Sequence, residues 1–314
     1  MGAWLVLAAL LLAFALDHVF GEPRARWHPV VGMGRYLELA GRRVAPRAGE
    51  AATATARVFT LGALAWLLGA LLVVALAWSL QHALLLLPAW ATALLAGIAL
   101  KPLLAWRMLR EETAAVEQAL SVSLAAGRER LARLVSRDVN ALDEAGVRES
   151  AIESLAENLN DSVVAPVFWF LLLGLPGATL YRFANTADAM WGYRGPRGGR
   201  DWEWAGKFAA RADDALSWLP ARLTALLIAL AHHGLPWRPL RAEAARTASP
   251  NSGWPMAAMA LALDVRLGKP GVYVLNAGAR CAQPADGARA QVLAARAVGW
   301  LLALSVLVLL VEGA

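Results

Sequence analysis

The stretch RESAIESLAENLNDSVVAPVFWFLLLGLPGATLYRFANTADAMWGYR, Arg148 to Arg194, decides the fold. Glu149, Glu153, Glu157, Asn160 and Asp161 recur at three and four residues and share one helix face. Ile152, Leu155, Leu159 and Val163 share another. The pattern passes into an apolar run from Val163 to Leu180, interrupted at Gly174-Leu-Pro-Gly177. A second polar cluster follows at once, with Arg182, Asn185, Thr186, Asp188, Tyr193 and Arg194. Carboxylates and amides thus flank both ends of a membrane-like segment, where such groups are costly to hold without a purpose.

The rest of the chain agrees. Charged residues are 17% of the 314, against about 25% in a soluble domain. Mean hydropathy is +0.48. Spanning backbone must satisfy its own hydrogen bonds, and the apolar runs are too long and continuous for the alternating strands of a barrel. The expected fold is all-α: a polytopic integral membrane protein forming one domain over 1–314. It carries a soluble helical insertion at about 107–161, expected to be a cytoplasmic lobe, and segments that can re-enter. The net charge of +6 fits positive-inside loops of an inner-membrane protein. No basic face interleaved with aromatics points to nucleic acid. The single cysteine, Cys281, excludes an internal disulfide and a thiolate-rich metal site. The opening MGAWLVLAALLLAFALDHVFGEP lacks a basic n-region and a small-residue cleavage site, and reads as a retained membrane helix.

Trp4 to Leu16 is short for a full span. Arg35 to Glu50 is basic and helical in part. Val58–Leu80 and Ala83–Leu104 read as a helical hairpin about a tight Gln81-His82 turn, with His82 an interfacial loop residue. In the insertion, Leu109, Val116, Leu120, Leu124, Leu131, Leu134 and Val135 keep helical spacing, with Gly127 and Gly146 as breaks. Arg133, Arg137 and Asp138 read as a solvated face. The apolar run 223–231 is too short to span, and Val298–Val311 forms the last apolar helix. Polar clusters at 17–29, 149–161, 182–194, 213–222 and 249–254 could act together only on one side of the membrane. The break at Gly174 to Gly177 is therefore read as a re-entrant hairpin, with the clusters expected to meet at the cytoplasmic face.

No nucleotide loop, zinc-protease motif or nucleophile elbow is present. What remains is a set of carboxylates: Glu153, Glu157, Asp161, Asp188, Asp213 and Asp214. Carboxylates facing phosphates commonly hold Mg2+, and arginines such as Arg182, Arg194 and Arg222 suit phosphate or carboxylate. Two other readings stay open: helix caps with buried ion pairs, and a transporter whose charges line a pathway, although no inverted repeat is evident.

The runs AENLNDSVVAP (156–166), YRFANTADAMWGYR (181–194), ARADDALSWLPAR (210–222) and SPNSGWPMAAMA (249–260) resemble the CbiB/CobD family of cobalamin biosynthesis, adenosylcobinamide-phosphate synthase. LDHVFGEP (16–23), WHPVVGMGR (27–35) and SRDVNAL (136–142) extend the resemblance to about residues 16–273. It implies an ATP- and Mg2+-driven ligase that joins the propionate of adenosylcobyric acid to aminopropanol phosphate, or aminopropanol. It also implies a corrinoid partner held at the lipid surface, and a homo-oligomer or other corrinoid-pathway membrane enzymes as potential partners. Carried onto this chain, Glu153, Glu157, Asn158 and Asp188 are the catalytic candidates, with Glu157 or Asp188 able to take the proton of the amine. His28, Arg182, Asn185, Tyr193, Arg194, Arg222 and Asn251 are the substrate contacts, and Asp161, Asp213 and Asp214 the metal positions. Glu22 stands where the family usually has Asp, Ser217 where it has Asn, and Leu261 and Lys269 where it has Gly. The last two are expected to affect packing rather than chemistry. A distant similarity to the AmpE membrane-sensor family makes a non-catalytic sensor the alternative.

Overall fold

The computed structural model describes residues 1–49 and 54–312; Glu50, at the end of the basic segment, lies outside them. The elements in order are α1 (Ala3–Phe20), α2 (Pro29–Val44), α3 (Thr55–Leu85), α4 (Ala89–Leu100), α5 (Trp106–Leu120), α6 (Leu124–Leu131), α7 (Glu144–Leu159), α8 (Ala165–Trp191), β1 (Pro196–Arg197), β2 (Arg200–Asp201), α9 (Lys207–Ala231), α10 (Trp237–Ala244), α11 (Gly253–Leu263), β3 (Leu267–Lys269), β4 (Tyr273–Leu275) and α12 (Pro284–Glu312). Six helical segments among the described residues are long and apolar enough to cross a membrane. The protein is an all-α polytopic membrane protein.

The chain forms two compact units. The first comprises 1–104, 165–217 and 309–314, and the second 105–164 and 218–308. The expected insertion at 107–161 falls in the second unit, together with the chain from α10 through most of α12.

In the first unit α1 packs on α4, and α2 and α3 pack on α8. Tyr36, Trp66, Phe183 and Phe208 form its aromatic core, with ring centroids 5.2 to 6.2 Å apart along the chain of contacts. Helix α3 runs through Gln81 and His82 to Leu85, so the expected turn is displaced to Leu86–Pro88. Pro88 sets the boundary, because the residue before a proline is driven out of the helical region. His82 is helical, with Nδ1 2.9 Å from the Trp78 carbonyl oxygen. Gln81 has another use. Helix α8 breaks at Gly174 (φ 69°, ψ −153°), and the Gln81 Oε1 accepts from the freed Leu175 N–H at 2.9 Å. A Cβ on Gly177 would lie 2.3 Å from the Trp169 carbonyl oxygen, eight residues earlier. The chain therefore doubles back on itself, as the Gly-Leu-Pro-Gly motif predicts. Helix α9 begins at Lys207 and has 25 residues. The expectation that 223–231 is too short fails because the polar sequence 207–217 belongs to the same helix. Likewise α12 starts at Pro284, well before the apolar run.

In the second unit α5, α6 and α7 enclose a core of Val116, Leu120, Leu131, Val139, Leu142, Val147 and Ala151. The two expected glycine breaks are absent. Gly127 lies within α6 and Gly146 within α7. Side-chain caps mark the boundaries instead: Ser123 Oγ accepts from Ala126 N–H at 3.1 Å, and Asp143 Oδ1 from Gly146 N–H at 2.7 Å. Helix α7 ends in a π-turn over Asn160–Val164, within the AENLNDSVVAP run. Helices α7 and α11 pack together, and β3 packs against α7.

Candidate functional site

The carboxylate face of α7 is turned inward. Glu149 and Glu153 are 5% and 1% exposed, which a carboxylate tolerates only when partnered. The β3–β4 hairpin supplies the partners. Its register pairs Leu267 with Leu275 and Lys269 with Tyr273, and residues directly opposite project to the same face. Leu267 and Leu275 are fully buried, so Lys269 and Tyr273 share the face turned to the protein interior.

Successive α7 carboxylates meet successive groups. Glu149 accepts from Arg266 Nε at 3.1 Å. Glu153 forms an ion pair with Arg137 Nη2 at 3.0 Å and accepts from the Tyr273 hydroxyl. Burial, reinforced by the Glu153 charge, holds the Tyr273 phenol above its ordinary range, so it serves as a donor. Burial pulls the Arg137 guanidinium down, but the Glu153 hydrogen bond and charge outweigh that and keep it a cation. One turn further on, Glu157 is flanked by the charges of Asp161, Glu153, Arg137 and Lys269. Among the described residues neither the Glu157 carboxylate nor the Lys269 ammonium is engaged in a hydrogen bond or ion pair.

These groups line a pocket of about 330 Å³. Its walls include Ser136 and Arg137 from SRDVNAL, Glu153, Glu157 and Asn158 from α7, Ser249 and Ser252 from the SPNSG turn with Thr247 just before it, and Lys269 and Tyr273 from the hairpin. Four distant stretches of sequence thus meet at one small polar cavity. The SPNSG turn is held by Arg222, which donates to Asn251 Oδ1 at 3.1 Å and to the Pro250 carbonyl at 3.3 Å. The Arg222 guanidinium also lies 4.3 and 4.9 Å from the Trp218 and Trp254 ring centres. Arg222 and Asn251, expected as substrate contacts, therefore bind each other and hold the turn. Asn158 donates to the Ser154 carbonyl at 3.0 Å. Asp161 accepts from Asn160 Nδ2 at 2.8 Å, and Asn160 Oδ1 accepts from Thr224 at 3.1 Å.

The other candidates lie in the first unit. Tyr193, Arg194 and Asp214 line a second pocket, of about 540 Å³, with Glu203, Lys207 and Arg211. Tyr193 donates to the Ala189 carbonyl at 2.8 Å and is covered by Arg197, 3.7 Å from its ring centre. Arg182 donates to Asn185 at 3.4 Å within α8, and Asp188 sits at the end of that helix, where its carbonyl accepts from Gly192 N–H. His28 caps α2 by accepting from Val30 N–H at 3.3 Å, and its Nε2 lies 2.9 Å from Glu22. Lys101 Nζ lies 3.5 Å from Glu22 and 3.6 Å from Asp17. Ser217 is buried against the Tyr181 hydroxyl at 3.1 Å, so the hydroxyl serves the core.

No group of three or more His, Cys, Asp or Glu side chains that could hold a metal ion occurs among the described residues, so Asp161, Asp213 and Asp214 form no protein-only cage. Arg137, Lys269, Tyr273 and the serines of the turn were not among the sequence candidates. Arg137, Ser249 and Ser252 lie inside quoted motifs. Lys269 and Tyr273 lie on strands of three residues that carry no legible periodicity.

A polytopic helical membrane protein with a small charge-lined cavity is the class these features define. The family model described as CobD/Cbib protein matches residues 10–301, and the chain belongs to that family. It is 44% identical over 263 residues to the cobalamin biosynthesis protein CobD of Chromobacterium violaceum, covering 82% of this chain and 80% of the relative. It is 41% identical over 292 residues to the probable cobalamin biosynthesis protein CobD of Methanothermobacter thermautotrophicus, covering 89% and 88%. No solved structure matches the chain.

Proposed function

We propose that this chain is an amide-forming ligase of cobalamin biosynthesis. It joins the propionate carboxylate of adenosylcobyric acid to (R)-1-amino-2-propanol O-phosphate, or to aminopropanol, at the expense of ATP. The observation that carries the reading is Glu157, a carboxylate without a hydrogen-bond or ion-pair partner among the described residues, facing a small polar pocket built from separate family motifs.

The chemistry needs such a group. An amine attacks an acyl carbon only when neutral, so its ammonium proton must pass to a base. In this reading Glu157 holds the amine by a hydrogen bond and accepts its proton at a carboxylate oxygen. Glu153 is less suited to the task, because the cation Arg137 and the Tyr273 hydroxyl both engage its Oε1. Asn158 and the Ser249 and Ser252 hydroxyls orient the bound amine.

A carboxylate is itself a poor electrophile, and ATP with Mg2+ supplies the leaving group when bound. The residues of the second pocket fit a magnesium-bound polyphosphate. Asp214 and Glu203 offer hard oxygen ligands, while Arg194, Lys207 and Arg211 offer cations for phosphate. Mg2+ is commonly held by one or two carboxylates plus phosphate oxygens, so no three-carboxylate cage is required.

An apolar groove lined by Met33, Tyr36, Leu72, Leu76, Leu103 and Phe183 suits the apolar edge of an amphipathic corrinoid. The arginine-rich segment 106–148 that carries Arg137 supports a cytoplasmic orientation for this part of an inner-membrane protein.

The test is a turnover assay on detergent-purified protein with adenosylcobyric acid, aminopropanol phosphate, ATP and Mg2+, read by mass spectrometry. A corrinoid heavier by the condensed amine is expected, with ADP or AMP identifying how the carboxylate is activated. No product and no corrinoid binding would favour a sensor of the AmpE type.

A further inference from the structure

Lys269 is the unexplained charge of the 330 Å³ pocket. Arg137, the other cation there, is committed to Glu153 at 3.0 Å. Lys269 has no such commitment among the described residues, yet the hairpin register turns it inward beside Tyr273. It lines the same cavity as Glu157, the uncommitted carboxyl, and as the hydroxyls of Thr247, Ser249 and Ser252. The pocket thus offers one uncommitted carboxyl, one uncommitted ammonium and several hydroxyls. Its volume lies at the low end of the range for small-molecule sites, about 300–1,000 Å³, which suits a small ligand rather than a macrocycle.

We propose that Lys269 is a specificity residue of this pocket: it binds a phosphate at one end of a small ligand whose other end is an amine held by Glu157. The ligand class is a short amino-alcohol phosphate, and the pocket selects it over the unphosphorylated amino alcohol. The identity of the amine as the attacking group rests on the ligase reading, but the binding preference does not. A charge-assisted contact from an ammonium to a phosphate, added to hydroxyl donors, is strong enough to give a preference of about tenfold or more. On this proposal the lysine, expected to affect packing, has a direct chemical role. Lys269 is half-buried.

The experiment is calorimetric titration of the detergent-purified full chain with 1-amino-2-propanol phosphate, with 1-amino-2-propanol, and with inorganic phosphate. Wild type, Lys269→Met and Lys269→Arg are compared. Wild type is expected to bind the phosphorylated amine at least about tenfold more tightly than the unphosphorylated one. Lys269→Met is expected to lose that preference and its inorganic phosphate binding while keeping the affinity for the unphosphorylated amine, which doubles as evidence of an intact fold. Lys269→Arg is expected to retain most of the preference. Equal affinities in wild type, no binding of either amine, or an unchanged preference in Lys269→Met would each overturn the proposal. The two readings separate cleanly. A Lys269-dependent preference without amide product removes the ligase reading and leaves this one. Amide product with an unchanged KM for the phosphorylated amine in Lys269→Met removes this one alone.

Discussion

Two charged clusters in this molecule look alike in sequence and differ in what they leave open. In the first unit, Asp17, Glu22, His28 and Lys101 gather within ion-pair distance of one another, and Asp17 and Lys101 are 1% and 7% exposed. Lys101 sits 3.5 and 3.6 Å from two carboxylates and His28 lies 2.9 Å from one of them, while Glu22 Oε1 and Lys101 Nζ are buried without a hydrogen-bond partner among the described residues. In the second unit, Glu153 and Arg137 make a similar buried pair, but Glu157 and Lys269 beside them are uncommitted and face a cavity. The charges of the first cluster lie among one another, whereas those of the second line a cavity. Buried charge alone therefore does not mark a binding site; what sets the second cluster apart is the cavity that its charges line.

The largest expected effect lies in the open pocket. Glu157→Gln keeps the shape but removes the base, and turnover is expected to fall by about 10² to 10⁴ with the thermal midpoint unchanged. If this variant unfolds the protein instead, the pocket is structural and the contrast collapses. In the closed cluster, Lys101→Met leaves two carboxylates without their cation. A loss of about 3–5 kcal/mol in stability is expected, read by thermal unfolding in detergent, because breaking a buried pair costs more than the pair contributes. A stable Lys101→Met protein that fails to turn over would move the chemistry into the first unit. Gly174→Ala probes the fold-back of α8. It places a Cβ where only glycine sits easily and 2.2 Å from Gln81 Oε1. A loss of about 1–3 kcal/mol is expected. The smallest effect is expected from Arg222→Lys, about 1 kcal/mol, seen as faster amide exchange in the 249–254 turn that Arg222 holds.

The sequence showed the carboxylate face of α7 because helical periodicity over Glu149, Glu153 and Glu157 is long enough to read. It also showed the reversal at Gly174, since Gly-Leu-Pro-Gly in an apolar run has few other uses. It did not show the hairpin that completes the pocket, because Leu267–Lys269 and Tyr273–Leu275 are too short for a period-two pattern. The turn between α3 and α4 was placed on Gln81-His82 by polarity, whereas Pro88 governs it; Gln81 is polar because it serves a backbone N–H at the α8 break. The span potential of α9 was missed because its first half is polar. Of the residues that line the 330 Å³ pocket, Glu153, Glu157 and Asn158 were legible from the helix face and the motif that contains them. Lys269 was not, because its role depends on which face of a three-residue strand meets α7.

The most direct test of the open pocket is hydrogen–deuterium exchange of the full chain with and without aminopropanol phosphate, followed by mass spectrometry. Slower exchange is expected at 134–137, 247–252 and 269–273, with none added at 17–28. Protection confined to the first unit, or no protection at these three segments under saturating ligand, would contradict the account.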